Sequence, residues 1–423
     1  MRARAATASL PAATTNTRAK ILSFVVLGAI LFNFALCFIN TNIFRTSAGI
    51  VIGCEMALIG VTLALLLTRS FDLFVILGVY VAYTLFLAAL QGSFDPKPAR
   101  DLMIPVIFYF AARELGSRED GDRLVWASVW IVLVVGLFEY GFLKQFVRLF
   151  DILGYYVSRG TVQAAAAELS GDRLFASGMR YEGRTLLPWL GEHRVSSVFL
   201  EPVSVGNFGA ICFSWIVLRN WGRPFSMLLR LLPVIAIFTL ADARFGLSIS
   251  LLSFIAFAFA GLTGRVLVAV APFVMIVTLA WIGYTWPDVA WDNTLRGRIL
   301  LGGQFLSKLD VYDMFALVPN FAFTADSGYA YTLVKIGLAG FAGMWLLFAF
   351  APARDQISWR YRVFVAIYVT LLLVISNSIY SIKTAALLWY LVGALDATQR
   401  APAPAPARVE PTRSLRRARL RPA

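Results

Sequence analysis

Residues 21–39 read ILSFVVLGAILFNFALCFI, a run without a single charged side chain that starts directly after Lys20. It is long enough to cross a hydrocarbon core roughly 30 Å thick, and in lipid it must be helical, because no water is present to satisfy exposed backbone groups. It is longer than a signal-peptide core and no small-residue cleavage site follows, so it reads as a membrane anchor. Apolar runs of seventeen to twenty-three residues recur as far as Leu395. Composition agrees: 59% of the 423 residues are hydrophobic, 15% are charged, and the mean hydropathy is +0.73. No soluble globular domain looks like that. The expected class is all-α, a polytopic membrane protein with about twelve transmembrane helices and two large loops on one side.

Apolar runs and their charged flanks predict spans near 21–41, 47–68, 71–90, 99–113, 122–142, 200–218, 225–241, 244–262, 265–283, 328–350, 360–380 and 382–396. They divide the chain into a tail (1–20), N-terminal spans (21–143), a loop (144–199), central spans (200–283), a second loop (284–327), C-terminal spans (328–396) and a basic tail (397–423). An even number of spans puts both termini on one side. The short loops of that side carry Arg69, then Arg113, Arg118 and Arg123, then Arg219 and Arg223, then Arg265, then Arg354, Arg360 and Arg362. Such an excess of arginine marks the cytoplasmic side. The span at 99–113 is the weak point, since Pro105 opens it and Arg100 and Arg113 bound it. A re-entrant segment there would reverse everything downstream. No internal repeat of the inverted-transporter kind is present.

A net charge of +14 raises the question of nucleic acid, but the two tails hold ten of the fourteen charges. Basic flanks of apolar helices are membrane anchors, and no basic, aromatic-interleaved folded module accompanies them, so nucleic acid is not an expected partner. Cys37, Cys54 and Cys212 all fall inside apolar segments without metal or redox spacing. The Ala-Pro alternation at 401–407 reads as a disordered tail. Gly49 and Gly53 form a small-xxx-small pair suited to helix packing.

The two long loops exceed what a connection needs, and such loops usually carry function. The first includes the Ala-rich stretch Ala164–Ala167, suited to a short surface helix, and ends in Glu192-His193-Arg194-Val195-Ser196-Ser197-Val198-Phe199-Leu200-Glu201-Pro202. Glu201 at a membrane edge is a functional candidate or a helix N-terminal acid before Pro202. His193 is the chain's single histidine and can titrate near neutrality. Ala241-Asp242-Ala243-Arg244-Phe245-Gly246 leaves Arg244 at the membrane face, either neutralised by Asp242 or aimed at a phosphate. The second loop adds Arg296, Arg298 and Lys308, then Asp326 as an N-cap entering the next helix. Arg194, Arg244, Arg296 and Arg298 would either converge on one anionic ligand or anchor separate headgroups. Asp120-Gly121-Asp122 imitates a metal-binding Asp-x-Asp but reads as a solvated turn beside Arg118 and Arg123.

Three segments, in order, give the chain a resemblance to the Wzy-type polysaccharide polymerase and O-antigen ligase superfamily, bacterial membrane glycosyltransferases. Arg194 through Pro202, with Gly206 and Asn207 beyond, is similar to the Arg, Gly or Ser, Phe, Pro pattern opening a central helix of that family, with Glu-Pro where ligases favour Pro-Asn. Asp242-Ala243-Arg244-Phe245-Gly246 resembles its Ser-Arg-Gly segment, the Ser being replaced. Arg296-Gly297-Arg298, Asp326-Ser327-Gly328-Tyr329 and Gly337-Leu338-Ala339-Gly340 resemble its large periplasmic loop and following helix. The match covers residues 190–350; elsewhere only topology agrees. Ligases place a His where this chain has Asp326, which favours the polymerase.

The resemblance implies a protein of the bacterial inner membrane, with both termini cytoplasmic and both long loops periplasmic. Its substrate would be an undecaprenyl-diphosphate-linked oligosaccharide, extended by inverting glycosyl transfer into a surface polysaccharide or exopolysaccharide. Membrane lipid, chain-length regulators and export proteins are the further implied partners. A base must take the acceptor's proton, Asp326 first, then Glu201 and His193. The departing diphosphate needs fixed positive charge, for which Arg194, Arg244, Arg296 and Arg298 are suited. No metal or cofactor enters this scheme. An O-antigen ligase and a lipid-linked oligosaccharide flippase or other transporter are the rival readings.

Overall fold

Each of the twelve apolar stretches is helical in the computed structural model, which describes residues 12–68, 70–163, 173–174, 177–180, 183–290, 294–319 and 327–397. The chain opens with α1 (Ala12–Asn42), α2 (Ala48–Leu66), α3 (Phe71–Gln91), α4 (Pro96–Leu115) and α5 (Arg118–Gly141). Two short helices, α6 (Leu143–Leu149) and α7 (Ile152–Ser158), begin the first long loop. The central group is α8 (Pro202–Arg219), α9 (Pro224–Ala241), α10 (Arg244–Phe259) and α11 (Arg265–Thr285). The second loop folds into α12 (Leu295–Lys308) and α13 (Val311–Met314). A broken helix follows, made of α14 (Gly328–Tyr331), a π-helical turn (Thr332–Ile336) and α15 (Gly337–Phe350). Last come α16 (Gln356–Ile375) and α17 (Ile382–Asp396). Arg69, Ala164–Ala167, Asp326 and the basic tail lie outside the described residues.

Nine of the described helical segments are long and apolar enough to cross a membrane. The other three expected spans differ for separate reasons. α4 carries Lys97, Arg100, Asp101, Arg113 and Glu114 toward its ends; α10 has 16 residues and α17 has 15. Every residue of α17 is buried, so protein rather than lipid surrounds it and its length is not set by the bilayer. The weak fourth span is one continuous helix with Pro105 inside it, not a re-entrant hairpin.

Burial falls from the centre outward. The window of α8 is 89% buried and that of α16 72%, whereas α2 and α3 are each 28% buried. On the perimeter, large apolar side chains such as Phe24, Phe71, Phe86, Phe225, Leu262 and Trp281 are exposed. A surface this apolar is stable only where its surroundings are apolar too. Close approaches occur at the centre: a Cβ on Gly246 would meet the Gly206 carbonyl oxygen at 2.4 Å, so glycine at both positions lets α10 lie against α8. Gly53, by contrast, has open space around it, and Gly49 meets only Ser47, so this pair makes no helix contact.

Helix connections alternate between two ends of the bundle. One, the loop end, carries both long loops. The other is tied by charges: Asp122 accepts from Arg219 at 2.7 Å and from the Trp215 indole at 2.9 Å, and Arg362 pairs with Asp396, which also accepts from Tyr109. Asp120-Gly121-Asp122 is therefore not a solvated turn. It is the first turn of α5, capped by Ser117, with Gly121 against the Trp215 ring.

Candidate functional site

The return of the first loop is built on Glu139, fully buried near the end of α5. Its carboxylate accepts from the Ser196 amide and hydroxyl at 3.0 Å, the Ser197 amide at 2.5 Å, and faces His193 Nε2 at 3.1 Å. Ser197 and Leu200 have φ of 46° and 64°, a left-handed backbone that non-glycine residues adopt only when their surroundings impose it. Glu139 imposes it. His193, 9% exposed, is thereby part of the loop's anchor.

Next to this anchor, the Arg180 guanidinium pairs with the Asp242 carboxylate, those of Arg184 and Arg194 lie within its electrostatic range, and that of Arg244 lies within range of Arg194. Asp242 is buried at the end of α9 with φ 47°, pairs with Arg180, and accepts from the amides of Thr185 at 3.2 Å and Leu186 at 2.8 Å. Arg184, 4% exposed, donates to the carbonyls of His193 at 2.7 Å and Leu240 at 2.8 Å, and to that of Thr239. Arg194 donates to the carbonyls of Ser177 at 3.1 Å and Ala241 at 3.2 Å. Burial, then the neighbouring Arg180, hold the Arg194 guanidinium down to about 10, with Arg244 and Arg184 adding to the effect and Asp242 opposing it. It stays charged at neutral pH. Arg244 is exposed on the first turn of α10, and its guanidinium has no partner among the described residues. Among the described residues these guanidinium groups outnumber the one carboxylate, Asp242, that interacts with them, and an anion is the group that relieves such crowding.

Glu201 precedes Pro202 at the start of α8, in the N-cap position but without a capping bond. It accepts from the Tyr156 hydroxyl, from Ser204 Oγ at 2.9 Å, and pairs with Lys383 of α17 at 3.5 Å. Burial pushes its carboxyl up, but Lys383 and then the hydroxyls of Tyr156 and Ser204 outweigh that and hold it below the usual carboxylate range. Arg159 lies over the rings of Tyr155 and Tyr156, 5.1 and 5.5 Å from their centroids, and donates to Asn33 of α1 at 3.3 Å.

A third polar group joins α2, α4 and α14. Arg100 bridges Glu55 of α2 and Asp101, whose other oxygen accepts from the Tyr331 hydroxyl at 2.6 Å. Lys97 stands over the Tyr331 ring at 4.2 Å. Acids and bases so placed inside apolar helices are costly unless paired, and here they are.

Of the residues expected from the sequence, Arg194 and Arg244 are neighbours, and Glu201 lies at the same end of the bundle. Arg296 and Arg298 begin α12, which packs on α11, α14 and α16; Arg296 is exposed and Arg298 half-buried. Asp326 lies outside the described residues; the cap of α14 is its neighbour Ser327, whose side chain accepts from the Ala330 amide at 3.3 Å. Among the described residues no group of three or more His, Cys, Asp and Glu side chains is arranged to hold a metal ion.

No family model, curated protein or solved structure matches this chain.

The residues not anticipated are Glu139, Tyr156, Arg180, Arg184 and Lys383. Two of them left a signal: Glu139 is an acid and Lys383 a base within otherwise apolar helices. The arrangement offers an ionised carboxylate beside an ammonium group, and a guanidinium cluster with one member facing outward.

Proposed function

We propose that this chain is a polymerase of undecaprenyl-diphosphate-linked oligosaccharide repeat units, with twelve spans in a bacterial inner membrane and its loop end in the periplasm. The arginine excess of the opposite end supports that orientation. The observation that carries the reading is the crowding of Arg180, Arg184 and Arg244 around Arg194, with Asp242 among them, at the same end as Glu201. In the reaction, an acceptor sugar hydroxyl oxygen bonds to the anomeric carbon of a second lipid-linked unit with inversion. The bond from that carbon to the diphosphate oxygen breaks, and undecaprenyl diphosphate leaves with the electron pair. Arg244, backed by Arg194 and Arg180, neutralises the departing diphosphate. The acceptor's proton goes to a carboxylate, Asp326 or Glu201.

Deleting the gene and analysing lipid-linked glycans, with a plasmid-borne copy as control, tests this. Single repeat units accumulating on periplasmic lipid without polymer is the expected result. Full-length polymer stranded on lipid means a ligase instead. The second reading is a flippase or transporter, favoured by the helix break at Thr332–Ile336 and by buried Glu55 and Asp101 bridged by the half-buried Arg100, since transporters bind cargo at interrupted helices. Single units trapped on the cytoplasmic face would support it.

A further inference from the structure

The tip of the first loop's return, Leu187-Pro188-Trp189, is apolar and exposed, with Trp189 77% exposed. An indole so placed leaves a large apolar surface uncovered, and tryptophan is among the side chains that contribute most at binding surfaces. The backbone beneath it is fixed from three sides. The amides of Arg180 and Arg194 donate to the carbonyls of Glu192 at 3.0 Å and Gly178 at 2.8 Å, closing the base of the loop. Arg184 is buried, and the amides of Thr185 and Leu186 are held by the Asp242 carboxylate at 3.2 and 2.8 Å. On the far side the Tyr140 hydroxyl, from the last turn of α5, donates to the Leu190 carbonyl at 3.2 Å.

The tip itself is strained. Leu187 has φ 51°, a left-handed backbone costly for leucine, and the 3-10 turn Pro188–Leu190 that follows ends at Gly191 with φ 82°. An aromatic that only dips into the membrane interface works as well on a loose loop, whereas a strained and bonded one fixes where the ring stands. That place borders the arginine cluster. The Leu186 amide is bonded to Asp242, and Trp189 is three residues further on, so the Cα atoms of Leu186 and Trp189 are at most roughly 11 Å apart. Arg244 is two residues beyond Asp242. In a lipid-linked repeat unit the first sugar is bonded directly to the diphosphate, so a diphosphate at Arg244 and Arg194 brings that sugar to the tip. The C–H face of a sugar ring carries weakly positive hydrogens, which match the negative face of an indole.

We infer that Trp189 stacks on the sugar bonded to the diphosphate of the lipid-linked unit, so that the loop tip reads the sugar while the arginines hold the phosphates. The inference rests on the polymerase reading and names the sugar subsite of that same site.

The test measures equilibrium binding to the full chain purified in detergent, with two probes: lipid-linked repeat units extracted from cells lacking the gene, and undecaprenyl diphosphate, which bears no sugar. The native chain is expected to hold the sugar-bearing lipid about tenfold more tightly than the bare one, and Trp189→Ala and Trp189→Leu to lose that preference while binding the bare lipid within about threefold of the native chain. Trp189→Phe, which keeps a ring, retains the preference, and Arg244→Ala weakens both lipids alike. Binding of the bare lipid reports that each Trp189 variant is folded. Equal affinity of the native chain for the two lipids, or a preference that survives Trp189→Leu, overturns the inference and marks Trp189 as a membrane anchor, while the polymerase reading stands if both lipids bind through Arg244. Binding of neither lipid overturns both.

Discussion

Lys383 Nζ lies 3.5 Å from Glu201 Oε1 and also donates to the Phe199 carbonyl at 3.3 Å, so one ammonium group from α17 fixes both the last turn of the loop and the residue that precedes α8. Removing it leaves a largely buried carboxylate without its cation. Lys383→Ala is expected to destabilise the protein by about 2 kcal/mol, and Glu201→Gln by less, because the amide keeps its partners' hydrogen bonds. Thermal melting in detergent measures both.

The same pair sets a pH dependence. Glu201 is held below its ordinary value of 4.5, so its stabilising contribution is complete above 4.5 and fades as pH falls through the lower, folded value. The native protein therefore keeps this contribution down to pH 4.5. With Lys383→Ala the folded value rises, and acid destabilisation of the loop sets in at higher pH than in the native chain. Melting curves between pH 3 and 6 compare the two.

Glu139 accepts bonds from two backbone amides and one hydroxyl that have no water to turn to. Glu139→Ala is expected to cost about 3 kcal/mol and to release the segment from His193 to Leu200. Hydrogen exchange at Ser196 and Ser197 rises in the variant and stays slow in the native protein.

Arg184 and Arg244 belong to one cluster but answer to different tests. Arg184→Ala removes three hydrogen bonds, leaving the His193 carbonyl without its donor while the Thr239 and Leu240 carbonyls keep the amides of Asp242 and Val195, and it lowers the melting temperature. Arg244→Ala leaves stability within about 0.5 kcal/mol, being exposed, and lowers polymer formation on the order of 100-fold.

Legibility in the sequence followed the range of the forces involved. Apolar runs such as residues 21–39 announce themselves locally, because each must satisfy the bilayer alone. α17 was legible from its apolar composition, although it meets protein on every side. The loops were not. Their helices α6, α7 and α12 are short, and they are fixed by distant partners, as where Asn42 of α1 donates to the Leu149 carbonyl at 2.8 Å. Arg194 and Arg244 stand in motifs that the sequence displays, whereas no local pattern marks Arg180 and Arg184, which meet Asp242 only in the folded chain. Asp122 misled because a carboxylate near two arginines in sequence reads as solvated, whereas its partner Arg219 is far along the chain.

The most direct measurement of the central claim is reconstitution: the purified chain in lipid vesicles with undecaprenyl-diphosphate-linked repeat units and nothing else. A polymerase yields a ladder of glycans in multiples of one unit, with one undecaprenyl diphosphate released per linkage, and no ladder with Arg244→Ala. Repeat units that remain single, with no diphosphate lipid released, would contradict it.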